Sequence, residues 1–323
     1  MVELIILSFS VPMRLIRGLT HLETLQNGCV LTIGNFDGVH LGHQAIIHKL
    51  AQQAANLQLP VVVMIFEPQP MEYFLQNNAP SRLMRLREKV LQFSALPVDY
   101  LLISKFNKHF ANLEAEAFID NVLLAKLNVK HLVIGDDFHF GKARRGNFAL
   151  LKESGMRAGF SVENTQTHLL GDVRISSTAI RDALGDGNLA LAEKLLGRSY
   201  AIYGRIEHGE KLGRTIGFPT ANIRLFRKNT PIQGVFAVEM TGIGNSALRG
   251  VANVGTRPTC ATAHRVVLET HLFNFDKEIY GQPVVVRFMK KLRDEQRFPS
   301  LDALKTQIAL DIETAQQFFA DLP

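Results

Sequence analysis

The feature that most constrains the fold is an alternation, in the first half of the chain, of short β-type runs with amphipathic stretches. Runs typical of buried strands cover residues 30–33, 61–66, 100–104 and 131–134, and helical patterns cover residues 44–56 and 115–127, with a further helix expected to begin near Ser81. Strands separated by helices need right-handed crossovers, which predict a doubly wound parallel sheet. Ligands of such sheets bind beyond the carboxyl ends of the strands, so functional residues are expected there.

From residue 200 onward the chain changes to short apolar runs separated by turn residues. Strands are predicted at residues 201–207, 235–240, 250–254, 266–273 and 284–288, and an amphipathic helix is predicted at residues 301–319. Several short strands at close spacing are typical of a small antiparallel barrel or sandwich. The predicted fold class is therefore α/β plus β, with helices at residues 178–184 and 189–196 near the boundary. We expect one domain over residues 13–186 and another over residues 187–323.

The chain of 323 residues is too long for one ordinary core, and its formal net charge is +6. This charge suits a nucleic acid, a membrane surface or a substrate with several phosphates. No nucleic-acid-binding module and no apolar run of about 18 residues is found, so only the third partner is expected. Cys29 and Cys260 match no metal-ligand spacing and are expected to be buried free thiols of a cytoplasmic protein. Residues 1–12 are expected to form a disordered extension, with Met13 as an alternative start.

A glycine-containing segment follows the first predicted strand and opens the first predicted helix. Its sequence is Gly34-Asn35-Phe36-Asp37-Gly38-Val39-His40-Leu41-Gly42-His43. Glycines let the backbone approach a phosphate closely, and a helix N-terminus offers N–H groups to an anion. His40 and His43 would point the same way and can donate hydrogen bonds to charge that develops on a phosphate. A metal pair is disfavoured because no third ligand is placed to complete a site.

A second segment places hydroxyl groups before a helix and an arginine in its first turn. Its sequence is Arg174-Ile175-Ser176-Ser177-Thr178-Ala179-Ile180-Arg181. Taken alone, it would be an ordinary Ser/Thr helix cap. Together with the histidine segment it predicts a second phosphate clamp, in which Arg174, Ser177, Thr178 and Arg181 hold the leaving pyrophosphate of ATP.

These two segments together resemble the nucleotidylyltransferase superfamily, and their particular form is similar to the FMN adenylyltransferase half of bacterial FAD synthetase. The resemblance implies a direct in-line attack of the FMN phosphate on the α-phosphorus of ATP, with catalysis by positioning and charge stabilisation. It implies that the catalytic residues are His40, His43 and Arg181, with Gly34, Asn35, Phe36, Asp37 and Gly42 around the ATP phosphates. It also implies that Asp137 and Phe138, which follow a predicted strand, lie near the flavin.

The segment at residues 209–222 is rich in glycine but lacks the Gly-Lys-Ser/Thr ending of a P-loop, and its composition alone is equally typical of a hairpin. Its full string, with the stretches at residues 250–259 and 268–272, resembles the riboflavin kinase signature. The resemblance implies a β-barrel kinase domain in which ATP is bound by Gly209, Gly213, Arg214, Gly217, Phe218 and Pro219. Thr220 and Asn222 match the family's Mg²⁺ ligands, and Glu269 matches the base that accepts the proton of the riboflavin 5′-hydroxyl.

The combined resemblance, to bacterial bifunctional riboflavin kinase/FMN adenylyltransferases, covers nearly all of residues 13–322. It implies ATP as co-substrate with Mg²⁺, and riboflavin, FMN and FAD as the other ligands, with no obligatory protein partner. One alternative is a nucleotidylyltransferase for another phosphorylated alcohol, fused to an unrelated barrel. A second alternative is a flavin-binding or RNA-binding regulator without catalysis. Turnover of ATP with riboflavin, followed by analysis of FMN and FAD, separates the three.

Overall fold

The structure is a computed structural model that describes residues 13–21, 25–135, 137–165, 168–208, 217–225, 229–258 and 264–322. Three sets of residues named above lie outside the described residues. They are the predicted extension over residues 1–12, Cys260, and the predicted ATP-binding residues Gly209, Gly213 and Arg214. The chain divides into two compact units. The first contains Met1–Pro80 and Met84–Ile175, and the second contains Ser81–Leu83 and Ser176–Pro323. The predicted boundary between two functional domains, after residue 186, stays a prediction.

A six-stranded sheet with every neighbouring pair parallel forms the first unit. In spatial order its strands are β1 (Arg14–Arg17), β4 (Tyr100–Lys105), β3 (Val61–Glu67), β2 (Cys29–Ile33), β5 (Val129–Gly135) and β6 (Ser161–Thr165). Its helices are α1 (Leu41–Leu57), α2 (Pro70–Leu75), α3 (Leu86–Phe93), α4 (Lys108–Ala111), α5 (Ala115–Phe118) and α6 (Phe148–Ala158). A short hairpin of β7 (Leu169–Leu170) and β8 (Val173–Arg174) follows. The predicted doubly wound parallel sheet is confirmed.

Two predicted helices differ in detail from the structure. The helix expected near Ser81 begins at Leu86, because the Glu88 carboxylate accepts a hydrogen bond from the Arg85 N–H and caps the helix there. Ser81 belongs to the second unit instead. The helix predicted at residues 115–127 is α-helical only over Ala115–Phe118 and continues as a π-helix over Ile119–Leu124.

The second unit begins with helices α7 (Ser177–Gly185) and α8 (Leu189–Leu196) and continues as a closed antiparallel barrel. Around the barrel the strands are β10 (Ala221–Arg224), β13 (His264–Leu272), β12 (Leu248–Pro258), β11 (Gly234–Thr241), β14 (Pro283–Arg293) and β9 (Ala201–Glu207). Of the two predicted architectures, the barrel is therefore correct. Strand β10 was not predicted, because its four residues follow the glycine-rich string without a clear apolar alternation.

The closing helix, α9 (Leu301–Ala320), covers part of the outer face of the barrel. Val235, Ala237 and Val251 point outward from the barrel and pack against Ala315 and Phe319 of the helix. An apolar stripe on a barrel exterior needs such a cover, which explains the amphipathic pattern of the last 20 residues. Within the described residues, no helix is long and apolar enough to cross a bilayer.

Cys29 lies at the start of β2 and is completely buried as a free thiol, as predicted. Its Sγ donates a hydrogen bond to the Leu127 carbonyl oxygen at 3.3 Å. Burial raises the pKa of this thiol to about 12 because the thiolate would be desolvated. Cys29 is therefore a core residue and not a nucleophile.

A nearly buried ion pair anchors α9 to β14. The Arg293 guanidinium donates Nε to Asp311 Oδ1 at 2.9 Å and Nη2 to Asp311 Oδ2 at 2.8 Å. Gln307 Nε2 donates to the same carboxylate at 2.9 Å. The Asp311 side chain is only 6% exposed, so its charge depends on these donors.

We expect Asp311→Ala to lower the free energy of unfolding by about 3–5 kcal/mol, since a charged guanidinium loses its carboxylate in a largely dry site. Urea unfolding followed by circular dichroism measures this loss. The control is Asp302→Ala on the same helix, whose side chain is 96% exposed. Equal effects of the two substitutions would contradict the anchoring role.

Candidate functional site

The loop between β2 and α1 (residues 34–40, the β2–α1 loop) has an unusual backbone. Phe36, Gly38 and Val39 adopt φ values of 48°, 86° and 41°, all in the left-handed region. For Phe36 and Val39 this conformation costs about 1–3 kcal/mol each, and it persists only where surrounding contacts enforce it. Such strain is typical of a loop that is shaped for a ligand.

His40 and His43 lie together at the start of α1, as the sequence predicts. His40 is the N-cap, and its Nδ1 accepts a hydrogen bond from the His43 backbone N–H at 3.3 Å. The two rings stack with centroids 3.6 Å apart and planes at 18°. Because Nδ1 of His40 accepts this hydrogen bond, a neutral His40 ring carries its proton on Nε2.

Two of the predicted phosphate-binding residues, Phe36 and Asp37, are buried in the wall of the loop. The Phe36 ring packs between the rings of His43, at 4.8 Å, and Phe93, at 5.6 Å. Gly34 leaves room for it, since a Cβ there would lie 3.1 Å from the Phe36 ring. Asp37 is 2% exposed, and its Oδ1 accepts a hydrogen bond from the Met84 N–H at 3.1 Å. The side chains of Phe36 and Asp37 therefore shape the loop.

The helix α3 supports the β2–α1 loop through a residue that the sequence analysis missed. Lys89 is completely buried, and its Nζ donates to the Asn35 carbonyl oxygen at 2.8 Å. A lysine in an amphipathic helical pattern is normally solvated, so the sequence carries no signal of this burial. Only the packing of α3 against the loop reveals it.

The predicted pyrophosphate clamp is divided between the two units. Arg174 lies exposed in β8 of the first unit, whereas Ser177, Thr178 and Arg181 lie in α7 of the second. The cap of α7 is Ser176, whose Oγ accepts from the Ala179 N–H at 3.1 Å. The convergence of this segment with the histidines on one triphosphate stays a prediction.

Within the second unit, the Arg181 Nε donates to the Ser81 carbonyl oxygen at 2.7 Å. The Tyr200 hydroxyl donates to the Leu83 carbonyl oxygen at 3.2 Å, so both ends of the Ser81–Leu83 segment are held there. This contact orients the Arg181 side chain through a tertiary partner 100 residues away.

Asp137 and Phe138 lie in a turn just after β5, at the carboxyl edge of the sheet. The Phe138 N–H donates to the Gly135 carbonyl oxygen at 3.1 Å, and the Phe138 ring stacks on Phe140 with centroids 5.7 Å apart. They belong to a larger set of touching rings, which we call the aromatic row. The row consists of Phe66, Phe106, Phe110, Phe118, Phe138 and Phe140.

Of the aromatic row, only Phe138 was predicted from the sequence, and the other five rings were not. A usable signal was present for two of them, because Phe66 lies near the end of a predicted strand and Phe106 follows another. Carboxyl ends of neighbouring parallel strands meet at one edge, so these rings belong together. Most of the rings meet edge-on or tilted, and Phe66, Phe118 and Phe140 are buried in the core of the first unit, so a planar ligand could reach only the partly exposed members.

Three polar side chains lie side by side on the outer face of the barrel. Asn222 of β10 is directly opposite Glu269 of β13, and Glu269 is directly opposite Asn253 of β12. The adjacent residues Ile223 and Leu268 are buried inside the barrel, so these three face outward. The structure thus joins the predicted Asn222 and Glu269 and adds Asn253, which the sequence analysis missed. We call this set the amide–carboxylate row.

A cavity of about 240 Å³ lies in the same unit, close to the predicted metal ligands. It is lined by Pro219, Thr220, Thr270, Lys277 and Tyr280, among others. The Tyr280 ring stacks on His208 with centroids 3.8 Å apart. Thr270 Oγ1 is buried and makes no hydrogen bond with the described part of the chain. This cavity can therefore hold a polar ligand next to an apolar ring.

The remaining predicted residues of this string lie at the mouth of the barrel. Gly217 has a φ of 91°, with open space where a Cβ would stand. Phe218 packs edge-on against His271 with centroids 5.8 Å apart, and the His271 Nδ1 lies 2.9 Å from the Pro219 carbonyl oxygen. Among the residues whose placement is described, no group of three or more His, Cys, Asp or Glu side chains forms a metal site.

Comparisons with known proteins identify the family of both halves of the chain. The family model described as FAD synthetase matches residues 22–179, and the model described as riboflavin kinase matches residues 196–319. A bifunctional riboflavin kinase/FMN adenylyltransferase from Escherichia coli strain K12 is 54% identical over 308 residues, which cover 95% of this chain and 98% of that protein. The chain belongs to the bifunctional riboflavin kinase/FMN adenylyltransferase family. The predicted resemblance is confirmed.

Other members of this bifunctional family show the same coverage. Proteins of the same name from Haemophilus influenzae and Pseudomonas fluorescens are 53% and 46% identical, each over 95% of this chain and at least 98% of their own length. The crystal structure of a protein described as a macrolide-efflux protein from Streptococcus pneumoniae has a TM-score of 0.76 and 30% identity, covering 95% of this chain and 99% of that one. The fold therefore matches along nearly the whole length.

Gly42 gives a test of the histidine geometry. An alanine Cβ at this position would lie 3.3 Å from the His40 ring, so the ring must shift. We expect Gly42→Ala to slow FMN adenylylation about 10-fold, because displacements well under 1 Å disturb a reacting geometry. The free energy of unfolding should stay within about 1 kcal/mol, since alanine favours a helix over glycine by about that amount.

The matched control is Gly185→Ala in α7, where a Cβ would meet nothing within 4 Å. Steady-state FAD formation and urea unfolding are measured for both variants. If both variants turn over at the wild-type rate, the position of the His40 ring does not limit the reaction.

Proposed function

We propose that the barrel unit phosphorylates riboflavin to FMN and that the β2–α1 loop of the sheet unit takes part in adenylylating FMN to FAD, each step using ATP. The observation that carries the proposal is that each of the two units contains its own set of chemically active side chains. Stacked histidines lie at a helix N-terminus in the first, and a carboxylate lies between two amides beside a cavity in the second. The functional boundary we propose is residues 13–186 and 187–323, in a cytoplasmic enzyme.

In FMN adenylylation, an oxygen of the FMN phosphate attacks the α-phosphorus of ATP. The new bond joins the two phosphates, the bond to the β-phosphate oxygen breaks, and pyrophosphate leaves. The nucleophile is already an anion, so no base is required, and the enzyme contributes positioning and charge stabilisation. His40 and His43 donate hydrogen bonds to the α-phosphate, and the Asn35 and Gly42 backbone borders it.

The leaving pyrophosphate is held by Arg181, Ser177 and Thr178, with Arg174 as an auxiliary cation. Chain continuity supports this assignment. A Cβ on Gly42 would lie 3.7 Å from the Ile175 carbonyl oxygen, and Ser176 is the next residue along the chain. The last residue of the first unit therefore lies beside the first turn of α1.

In this proposal the flavin of FMN binds beside Asp137 and Phe138, at one end of the aromatic row. Stacking of a planar ring on aromatic side chains is favourable, and a turn carboxylate can orient a polar ribityl chain. Both groups lie at the carboxyl edge of the sheet, where the β2–α1 loop also begins.

In riboflavin phosphorylation, the 5′-hydroxyl is a weak nucleophile and needs a base. Glu269 accepts its proton while the oxygen attacks the γ-phosphorus of ATP, and ADP leaves. Asn222 and Asn253 flank Glu269 on the two neighbouring strands. Pro219 and Thr220 line the cavity for the nucleotide, with Gly217 and Phe218 next to them.

Mg²⁺ fits this site by the chemistry of its donors. Thr220 and Asn222 supply a hydroxyl and an amide oxygen, and Thr220 also lines the cavity. Mg²⁺ prefers oxygen ligands and binds through one or two protein groups together with substrate phosphates. When bound, it would neutralise phosphate charge during the transfer.

We expect His43→Ala to slow FMN adenylylation about 100-fold to 1,000-fold, because one donor to the developing phosphate charge is lost. Riboflavin phosphorylation by the same preparation should be unchanged. The control is His48→Ala, an exposed histidine on the same helix. Chromatography of FMN and FAD formed from labelled ATP gives both rates. Unchanged FAD formation by His43→Ala would refute the role.

We expect Glu269→Gln to slow FMN formation at least about 100-fold, because glutamine cannot accept the 5′-hydroxyl proton. Conversion of added FMN to FAD should stay within about twofold of wild type. The control is Glu313→Gln, on the exposed side of α9. Parallel loss of both activities would indicate misfolding and would remove the support for two separate sites.

A further inference from the structure

Lys89 is a buried charged residue that the proposed chemistry does not use. It is one of the largest completely buried side chains of the described chain, although an ammonium normally stays in water. Burying such a charge costs several kcal/mol unless it is hydrogen-bonded. A buried ammonium that contacts the loop of the histidines is therefore a candidate for a functional role.

The contact of Lys89 is to the loop that carries the histidines. Its Nζ donates to the Asn35 carbonyl oxygen at 2.8 Å, across 54 residues of sequence. That carbonyl shares a peptide group with the Phe36 N–H. A charged donor on the oxygen polarises the peptide, which strengthens the N–H as a donor and fixes the plane of the peptide.

Phe36 connects this peptide to His43. Its backbone has a φ of 48°, so the orientation of the preceding peptide is strained. Its ring lies 4.8 Å from the His43 ring. A rotation of the Asn35–Phe36 peptide would therefore move the ring against which His43 packs.

Two further contacts come from the same stretch of chain as Lys89. The Met84 N–H donates to Asp37 Oδ1 at 3.1 Å, and the Phe93 ring meets the Phe36 ring at 5.6 Å. These contacts already hold the loop by a neutral donor and by packing. Lys89 differs from these two contacts because it brings a positively charged group to the buried side of the loop.

We propose that Lys89 is a positioning residue for FMN adenylylation: its ammonium holds the Asn35–Phe36 peptide in the orientation that places His43, and its charge lies behind the loop that receives the triphosphate. The inference rests on the proposed role of the β2–α1 loop. It assigns to Lys89 an effect on turnover that is separate from folding.

The substitution Lys89→Met separates these two effects. Methionine has a similar unbranched shape without the ammonium, and it leaves the Asn35 carbonyl oxygen without this donor, which costs about 1–3 kcal/mol. A residue retained for folding alone would lose stability but no turnover per folded molecule. A residue retained for positioning would lose turnover per folded molecule.

For Lys89→Met we expect kcat for FMN adenylylation to fall about 100-fold, as a misplacement of about 1 Å does, with the KM for ATP within about threefold. The urea midpoint of the full-length protein should fall by no more than the loss of about 1–3 kcal/mol in the free energy of unfolding allows, so the variant stays folded in the assay. The rate of riboflavin phosphorylation by the same preparation measures the amount of folded enzyme. The control, Lys152→Met, replaces an exposed lysine of α6 and should match wild type in every measurement.

Three results would overturn the proposal. They are a wild-type kcat in Lys89→Met, a change confined to KM, and a loss of stability that accounts for the whole loss of turnover. Each differs from a failure of the proposed function, in which the wild-type enzyme itself would form no FAD from FMN and ATP.

Discussion

The first unit depends on hydrogen bonding between buried parallel strands. All five residues of β2 are buried, and so are the first six residues of β3. Buried peptide groups must pair with each other, and both faces of such strands accept mainly apolar side chains. Most polar groups therefore appear where a strand ends. The histidine loop after β2 and the Asp137 turn after β5 both lie at that edge for this reason.

The barrel imposes a different constraint, which is the alternation of side chains between its two faces. Glu269 points outward, and the next residue, Thr270, points inward and lines the nucleotide cavity. Two neighbouring residues of one strand thus serve two surfaces. The same alternation places Val235 and Val251 outward, where α9 covers them and Arg293 and Asp311 secure the helix.

The β2–α1 loop shows how a strained backbone is kept in one conformation. Its two left-handed residues other than glycine, Phe36 and Val39, would relax in an isolated peptide. In the protein, the stretch over residues 84–93, which includes α3, supplies a buried ammonium, a backbone donor and an aromatic ring to the same loop. The cost of the strain is thereby offset by tertiary contacts, and the histidines begin the helix from a rigid support.

Local patterns in the sequence were sufficient for the α/β plus β fold, for most strand positions and for the His40–His43 pair, because alternation, periodicity and helix capping act over a few residues. The resemblance of the motifs added Thr220, Asn222 and Glu269, and their roles remain proposals. Only the tertiary structure decided that Lys89 is buried, that Asn253 stands beside Glu269 and that Ser81 belongs to the second unit. Burial and strand register depend on partners far away in the chain, and no local pattern specifies those partners.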